Sequence, residues 1–91
     1  MFFGRRANRL SNSERLLAVR VGREKLAAAG GNSVEFERLV KSDARTQAID
    51  PALVALFIQI AIAVFKYYMS RNASASAIAD ETDAQLLKKV T

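Results

Sequence analysis

The chain has 91 residues, enough for one small domain, and a formal net charge of +5. A domain this small buries only about 60% of its unfolded surface, so its own core is marginal and a partner, a membrane or another support is expected. The sequence has no cysteine and no histidine, which excludes disulfides and thiolate metal sites and removes the commonest general base and metal ligand.

The beginning of the chain is strongly basic. Residues 1–10 form a basic arm, and more basic residues follow it, offset only by Glu14 and Glu24. Such a cluster attracts polyanions, which here means phospholipid head groups, nucleic acid or an acidic protein. The residues predicted to contact lipid or nucleic-acid anions are Arg5, Arg6, Arg9, Arg15, Arg20, Arg23 and Lys25.

Residues 11–49 predict two amphipathic helices. Ser11 precedes Glu14 by three residues, the spacing of a capping box, and predicts a first helix from about Asn12 to Ala28. The glycine pair that begins at Gly30 ends this helix, because glycine readily adopts the left-handed conformation of a C-cap.

Asn32 or Ser33 can cap the second predicted helix, which covers about Val34 to Ala48. Its apolar residues recur at helical spacing and form a narrow stripe opposite a charged face. Stripes of this kind are usually packing surfaces. The apolar residues are Phe36, Leu39 and Val40.

The sharpest boundary in the sequence is the pair Asp50-Pro51. Proline disfavours a helical conformation in the residue before it and is favoured at the first position of a new helix, where aspartate is a good N-cap. The helix predicted over residues 51–69 contains, from 52 to 65, a single polar residue, Gln59, and no charge. Because it is apolar all round, it is expected to be buried on every side.

This apolar helix, within a segment of residues 50–71, is predicted to span a membrane. The 19 residues from Pro51 to Met69 would extend roughly 28 Å, against a hydrocarbon core of about 30 Å. The segment ends in residues that membrane interfaces favour, because their stems and rings stay in lipid while their tips reach water. These predicted anchors are Lys66, Tyr67, Tyr68 and Arg71.

Two further expectations follow from a membrane-spanning segment. Basic residues before it, including Arg38, Lys41 and Arg45, outnumber those after it and place the N-terminus on the cytoplasmic, or inner, side. Gln59 would lie near the middle of the membrane and is predicted to make a polar contact with another helix, either as a tolerated group or as one that fixes oligomer register.

Residues 72–91 predict a linker of small residues and a short C-terminal helix closed by Lys88 and Lys89. No catalytic constellation is visible, so the protein is not expected to be an enzyme or to use a metal, a cofactor or a small-molecule substrate. Capping accounts for the carboxylates near helix starts: Glu35, Glu37, Asp50, Asp80, Glu81 and Asp83.

Together these patterns predict an all-α fold of about four helices around one central apolar helix. The leading functional hypothesis is a small single-pass membrane protein, a structural or accessory subunit of a membrane complex or a lipid-containing virion, with membrane lipid and other subunits as partners. The alternative is a soluble helical module for oligomerisation or nucleic-acid association, in which the central helix is buried in protein. A pore-forming peptide fits less well, because the helix lacks an obvious polar stripe.

Overall fold

Five α-helices and one 3-10 turn follow one another in the part of the chain that this computed structural model describes, residues 9–71 and 81–91. No strand occurs in these residues, so the all-α prediction is confirmed. The helices are α1 Asn12–Ala29, α2 Ser33–Ser42, α3 Ala44–Gln47, α4 Val54–Arg71 and α5 Asp83–Val90, and the 3-10 turn Pro51–Leu53 precedes α4.

Helix α1 begins and ends where its capping residues predict. The hydroxyl of Ser11 accepts a hydrogen bond from the backbone N–H of Glu14, and the Glu14 carboxylate accepts one from the backbone N–H of Ser11. This reciprocal pair is a capping box and satisfies two of the amides that a helix start leaves without partners. At the other end Gly30 has φ 59°, the left-handed conformation in which glycine carries no steric penalty.

The single helix predicted from Val34 to Ala48 is wrong, because the backbone leaves the helical conformation at Asp43. This residue has φ −68° and ψ 135°, and its carboxylate accepts a hydrogen bond from the backbone N–H of Arg45. Aspartate offers the backbone this local alternative to the helical hydrogen bond. It ends α2 and caps the one-turn helix α3.

The predicted central helix is confirmed, and it continues to Arg71. Asp50 accepts a hydrogen bond from the backbone N–H of Ala52, and Pro51 occupies the first position of the 3-10 turn that leads into α4. The boundary therefore works as its sequence predicts, although the first turn is tighter than an α-helix.

The other helices pack around α4. Its most extensive contact is with α1, followed by α2 and α5. Gly22 of α1 lies directly on Ala61 of α4, so closely that a Cβ at Gly22 would be 3.2 Å from the Cα of Ala61. The Phe36 and Phe65 rings pack with centroids 4.7 Å apart. Side chains with almost no exposed surface include Val19, Val21, Phe36, Val40, Phe57, Val64 and Leu86.

Among the described residues, no other helix covers one side of α4. Burial of this helix on every side would therefore need a membrane or another molecule, and it stays a prediction. Five residues of α4, together with Ala52 of the preceding 3-10 turn, recur at spacings of four and three along that side; we call these six residues the outer stripe. All are exposed except Ala63, which is half-buried. The chain tolerates an open face here because most of these side chains are small or polar. The outer stripe consists of Ala52, Leu56, Gln59, Ala63, Lys66 and Ser70.

Candidate interaction surface on the central helix

The two faces of α4 differ in side-chain size and polarity. Phe57, Val64 and Phe65 face the neighbouring helices and are buried. The outer stripe opposite them has one large apolar residue, Leu56, which is 36% exposed. Helical residues three and four apart share a face, so these side chains form one continuous strip along the helix. Among the described residues, no other helix covers that strip.

Gln59 lies in the middle of the outer stripe and is exposed. It makes no hydrogen bond to another helix in the described part of the chain, so the predicted helix–helix contact would need a second molecule and stays a prediction. Gln59 also lines a shallow cavity of about 350 Å³ between α4, the start of α1 and α5. Other residues of its lining are Arg9, Leu10, Arg15, Leu56, Ile60, Leu87 and Thr91.

The basic residues predicted to form one anion-binding site are divided among different environments. Arg20 and Arg23 both form ion pairs with Asp83, at 3.1 and 2.8 Å, and so join α1 to α5. Lys25 forms an ion pair with Asp43, at 3.1 Å, and joins α1 to the break between α2 and α3. The structure therefore uses these three cations, at least in part, to hold helices together.

The remaining basic residues of that prediction are Arg9 and Arg15, with Arg5 and Arg6 outside the described residues. Arg9 and Arg15 are both exposed and line the shallow cavity beside the outer stripe. Neither forms an ion pair with another described residue. Their contact with an external anion stays a prediction, now centred on the cavity.

An ion network at the break between α2 and α3 was not predicted. The Asp43 side chain is 9% exposed. It accepts hydrogen bonds from Nε and Nη2 of Arg45, both at 2.9 Å, and forms an ion pair with Lys25. Arg45 also donates to both carboxylate oxygens of Glu24 on α1. The network ties α1 to the α2–α3 junction. An Asp and an Arg two residues apart do not face each other on a helix, so helical spacing gives no signal of it.

Hydrogen bonding within this network shifts the pKa values of its members. The Arg45 side chain holds the pKa of the Asp43 carboxyl well below its usual range, outweighing the opposite effect of burial. Hydrogen bonds to Asp43 and then Glu24 raise the pKa of Arg45. The Arg45 side chain also lowers the pKa of Glu24. All three groups are therefore charged together over the neutral pH range.

The predicted interface anchors are not equivalent to one another. Lys66 is exposed on the outer stripe, whereas Tyr67 and Tyr68 are half-buried and pack against the cluster of Val19, Val64 and Leu86. Arg71 is the last residue of α4. The two tyrosines thus contribute to the packing of α4 inside the bundle, and only Lys66 faces outward among the three whose side chains are described.

Chemistry and similarity give no independent indication of function. In residues 9–71 and 81–91, no three metal-ligating side chains gather into a group. The helix over Pro51–Ser70, 20 residues, is long and apolar enough to cross a membrane, a property that core helices of soluble proteins share. No family model matches the chain, and no curated protein or solved structure matches it.

Proposed function

We propose that the protein is a non-enzymatic helical interaction module, a structural subunit that folds in water around α4 and presents the outer stripe to another protein. The contact of α1 with α4 carries the proposal. With Gly22 against Ala61, the two helices lie so close that a Cβ at position 22 would crowd the Ala61 backbone. The outer stripe remains open beside this packed core.

The charges of α1 support folding in water. The helix carries Arg15, Arg20, Arg23 and Lys25, and the last three form ion pairs with carboxylates outside α1. Each such charge costs about 3 kcal/mol at the centre of a bilayer. Helix α1 cannot follow α4 into lipid with these residues, so insertion of α4 would require the bundle to come apart.

The inner face of α4 gives the bundle its driving force. Phe57, Val64 and Phe65 lose nearly all contact with water, and burial of one such side chain contributes roughly 1.5–3 kcal/mol. That stabilisation is lost if α4 leaves α1 and α2 for another protein. A partner that binds the outer stripe leaves it intact, which favours this stripe as the docking surface.

Purification without detergent tests this proposal. The protein is expected to stay soluble and to unfold cooperatively on heating, as followed by the helical signal in circular dichroism. Gly22→Leu should abolish the cooperative transition, because a side chain there meets the backbone of Ala61. Ala28→Leu, at an exposed site on the same helix, is the matched control and should unfold like the original. A protein that remains folded only in detergent or lipid contradicts the proposal.

A single-pass membrane subunit is the second candidate, supported by the length and apolar character of Pro51–Ser70. In that state α4 would contact lipid, Lys66 and Arg71 would lie at one interface, and the N-terminus would face the inner side. A membrane complex or a lipid-containing virion would be its setting. Retention in the membrane pellet after alkaline carbonate extraction would support this candidate, and release into the supernatant would contradict it.

Nucleic acid is a further partner to test, because Arg9 and Arg15 are exposed without an ion pair among the described residues. Binding through such contacts weakens steeply as salt concentration rises. Retention on DNA that falls with salt, and that falls further in an Arg9→Gln, Arg15→Gln variant, would support this partner. Arg38→Gln, which removes an exposed arginine of α2 paired with Glu35, is the control.

A further inference from the structure

We propose that the outer stripe binds the same stripe of a second copy of the chain, with the two α4 helices antiparallel and Gln59 on the two-fold axis. This inference rests on the proposed function, because α4 must stay in its own bundle for the stripe to be presented. It goes further by naming the partner and its orientation.

The spacing of the outer stripe fits a partner helix. Its six residues recur at alternating intervals of four and three, the seven-residue pattern with which two helices meet along a shared seam. Ala52, Ala63 and Ser70 are small enough for the backbones to approach closely. Leu56, 36% exposed, lies at one edge of the seam, where the second copy would cover it.

Gln59 suits a position on a two-fold axis. Its amide both donates and accepts hydrogen bonds, so two copies of the same side chain can satisfy each other. In such a symmetric interface each surface is its own complement. A polar residue in the middle of a helix seam also favours one register, because a shift separates its amide from the matching amide of the other copy.

Charges at the two ends of the stripe select the antiparallel arrangement. Lys66 follows Gln59 by seven residues and Asp50 precedes it by nine. The Asp50 carboxylate accepts a hydrogen bond from the Ala52 N–H at 2.9 Å, which holds it beside the first residue of the stripe. An antiparallel pair centred on Gln59 brings Lys66 of each copy to this end of the other, where the two charges are opposite.

A parallel pair would be penalised by the same residues. It would set the two Lys66 side chains against each other, and like charges opposed in this way destabilise an interface. In the antiparallel pair the two lysines are 14 residues apart along the seam, or roughly 21 Å. The macrodipoles of the two helices also oppose each other favourably when the helices run in opposite directions.

Cysteine cross-linking tests the orientation, since the natural chain contains no cysteine. Under mild oxidation, Gln59→Cys is expected to form a covalent dimer efficiently, whereas Lys66→Cys alone is not. An equal mixture of Ala52→Cys and Lys66→Cys should form the mixed dimer. Val34→Cys, at a highly exposed position of α2 away from the stripe, is the control for random collision and should cross-link poorly.

Sedimentation equilibrium of the cysteine-free protein supplies the second measurement. A monomer–dimer equilibrium is expected, and Gln59→Glu should weaken dimerisation by on the order of tenfold or more, because it sets two like charges on the axis. The thermal transition of the Gln59→Glu monomer should persist, which separates loss of the dimer from loss of the fold.

Three outcomes would overturn the inference. A folded, detergent-free protein that stays monomeric would remove the second copy and leave the proposed function standing. Self-cross-linking of Lys66→Cys without the mixed dimer would show a parallel pair. A dimer unaffected by Gln59→Glu would place its interface elsewhere. A protein that folds only in detergent would instead contradict the proposed function, on which the inference depends.

Discussion

The inner and outer faces of α4 differ both in the side chains that they carry and in what covers them. The inner face has bulky side chains such as Phe57 and Phe65, and helices α1 and α2 cover them. The outer stripe has alanines, one leucine and three polar side chains, and it is open. The contrast teaches that the position of the bulky apolar side chains, rather than the average apolar character of the whole helix, decides which face must be buried.

The largest expected effect comes from truncating one side chain on each face. Phe57→Ala should reduce the free energy of unfolding by about 3–5 kcal/mol, because it removes a fully buried ring and leaves a cavity. Leu56→Ala, the neighbouring residue on the outer stripe, should cost less than about 1 kcal/mol. Urea unfolding followed by circular dichroism measures both. Equal losses would show that the two faces are buried alike.

The next largest effect concerns the ion network that ties α1 to the α2–α3 junction. Asp43→Asn should cost about 2 kcal/mol, because Arg45 and Lys25 lose a buried carboxylate partner while the capping oxygen remains. Asp50→Asn is the matched control, since Asp50 also accepts a hydrogen bond from the amide two residues on but is exposed. It should cost much less in the same urea titration.

The same carboxylate predicts how stability depends on pH. Because hydrogen bonds from Arg45 lower the pKa of Asp43 in the folded state, its contribution is complete above its unfolded pKa of about 4 and is lost as the pH falls below that value. Unfolding midpoints measured from neutral pH downward should therefore decrease more steeply for the original protein than for Asp43→Asn. Parallel curves for the two proteins would mean that Asp43 does not contribute.

A smaller effect, of opposite sign, is expected at Thr46 on α3. This side chain is 1% exposed, and its hydroxyl has no hydrogen-bond partner among the described residues. Thr46→Val keeps the shape and removes the unsatisfied group, so it should stabilise the fold by up to about 1 kcal/mol. A destabilisation in the thermal or urea transition would indicate that the hydroxyl does have a partner in solution.

The smallest effect on folding is expected at the centre of the outer stripe. Gln59→Leu should change the free energy of unfolding of the monomer by less than about 0.5 kcal/mol, because the residue is exposed. Its effect should appear in the dimer, where the register loosens and Lys66→Cys begins to cross-link with itself. Unchanged oligomer size and cross-linking would remove any role of Gln59 in register.

Local signals in the sequence predicted the helix boundaries that depend on neighbouring residues. The capping box at Ser11 and Glu14, the glycine at position 30 and the pair Asp50-Pro51 all act within one turn. The break at Asp43 was not predicted, because the apolar stripe of this segment gives no signal at that position, although an aspartate can cap a new turn. Hydrogen bonds between residues close in the chain set both the confirmed boundaries and the break at Asp43.

Features that depend on distant residues could not be predicted in this way. Arg20 and Arg23 meet Asp83 from the far end of the chain, so charge clustering placed them in an anion site instead of an ion pair. The few large apolar residues of the other helices indicate that they cannot cover α4 on all sides, but the sequence does not show which side stays open. Only the packing of α1 and α2 shows which residues of α4 are covered.

The contact between Gly22 and Ala61 has a consequence for the order of synthesis. Helix α1 ends at Ala29, well before α4 begins at Val54, so the ribosome completes the partner helix before the most apolar part of the chain emerges. Domains made N-terminal end first can begin to fold during synthesis. A glycine on the earlier helix then offers α4 a place against protein as it appears, in direct competition with the membrane-insertion machinery.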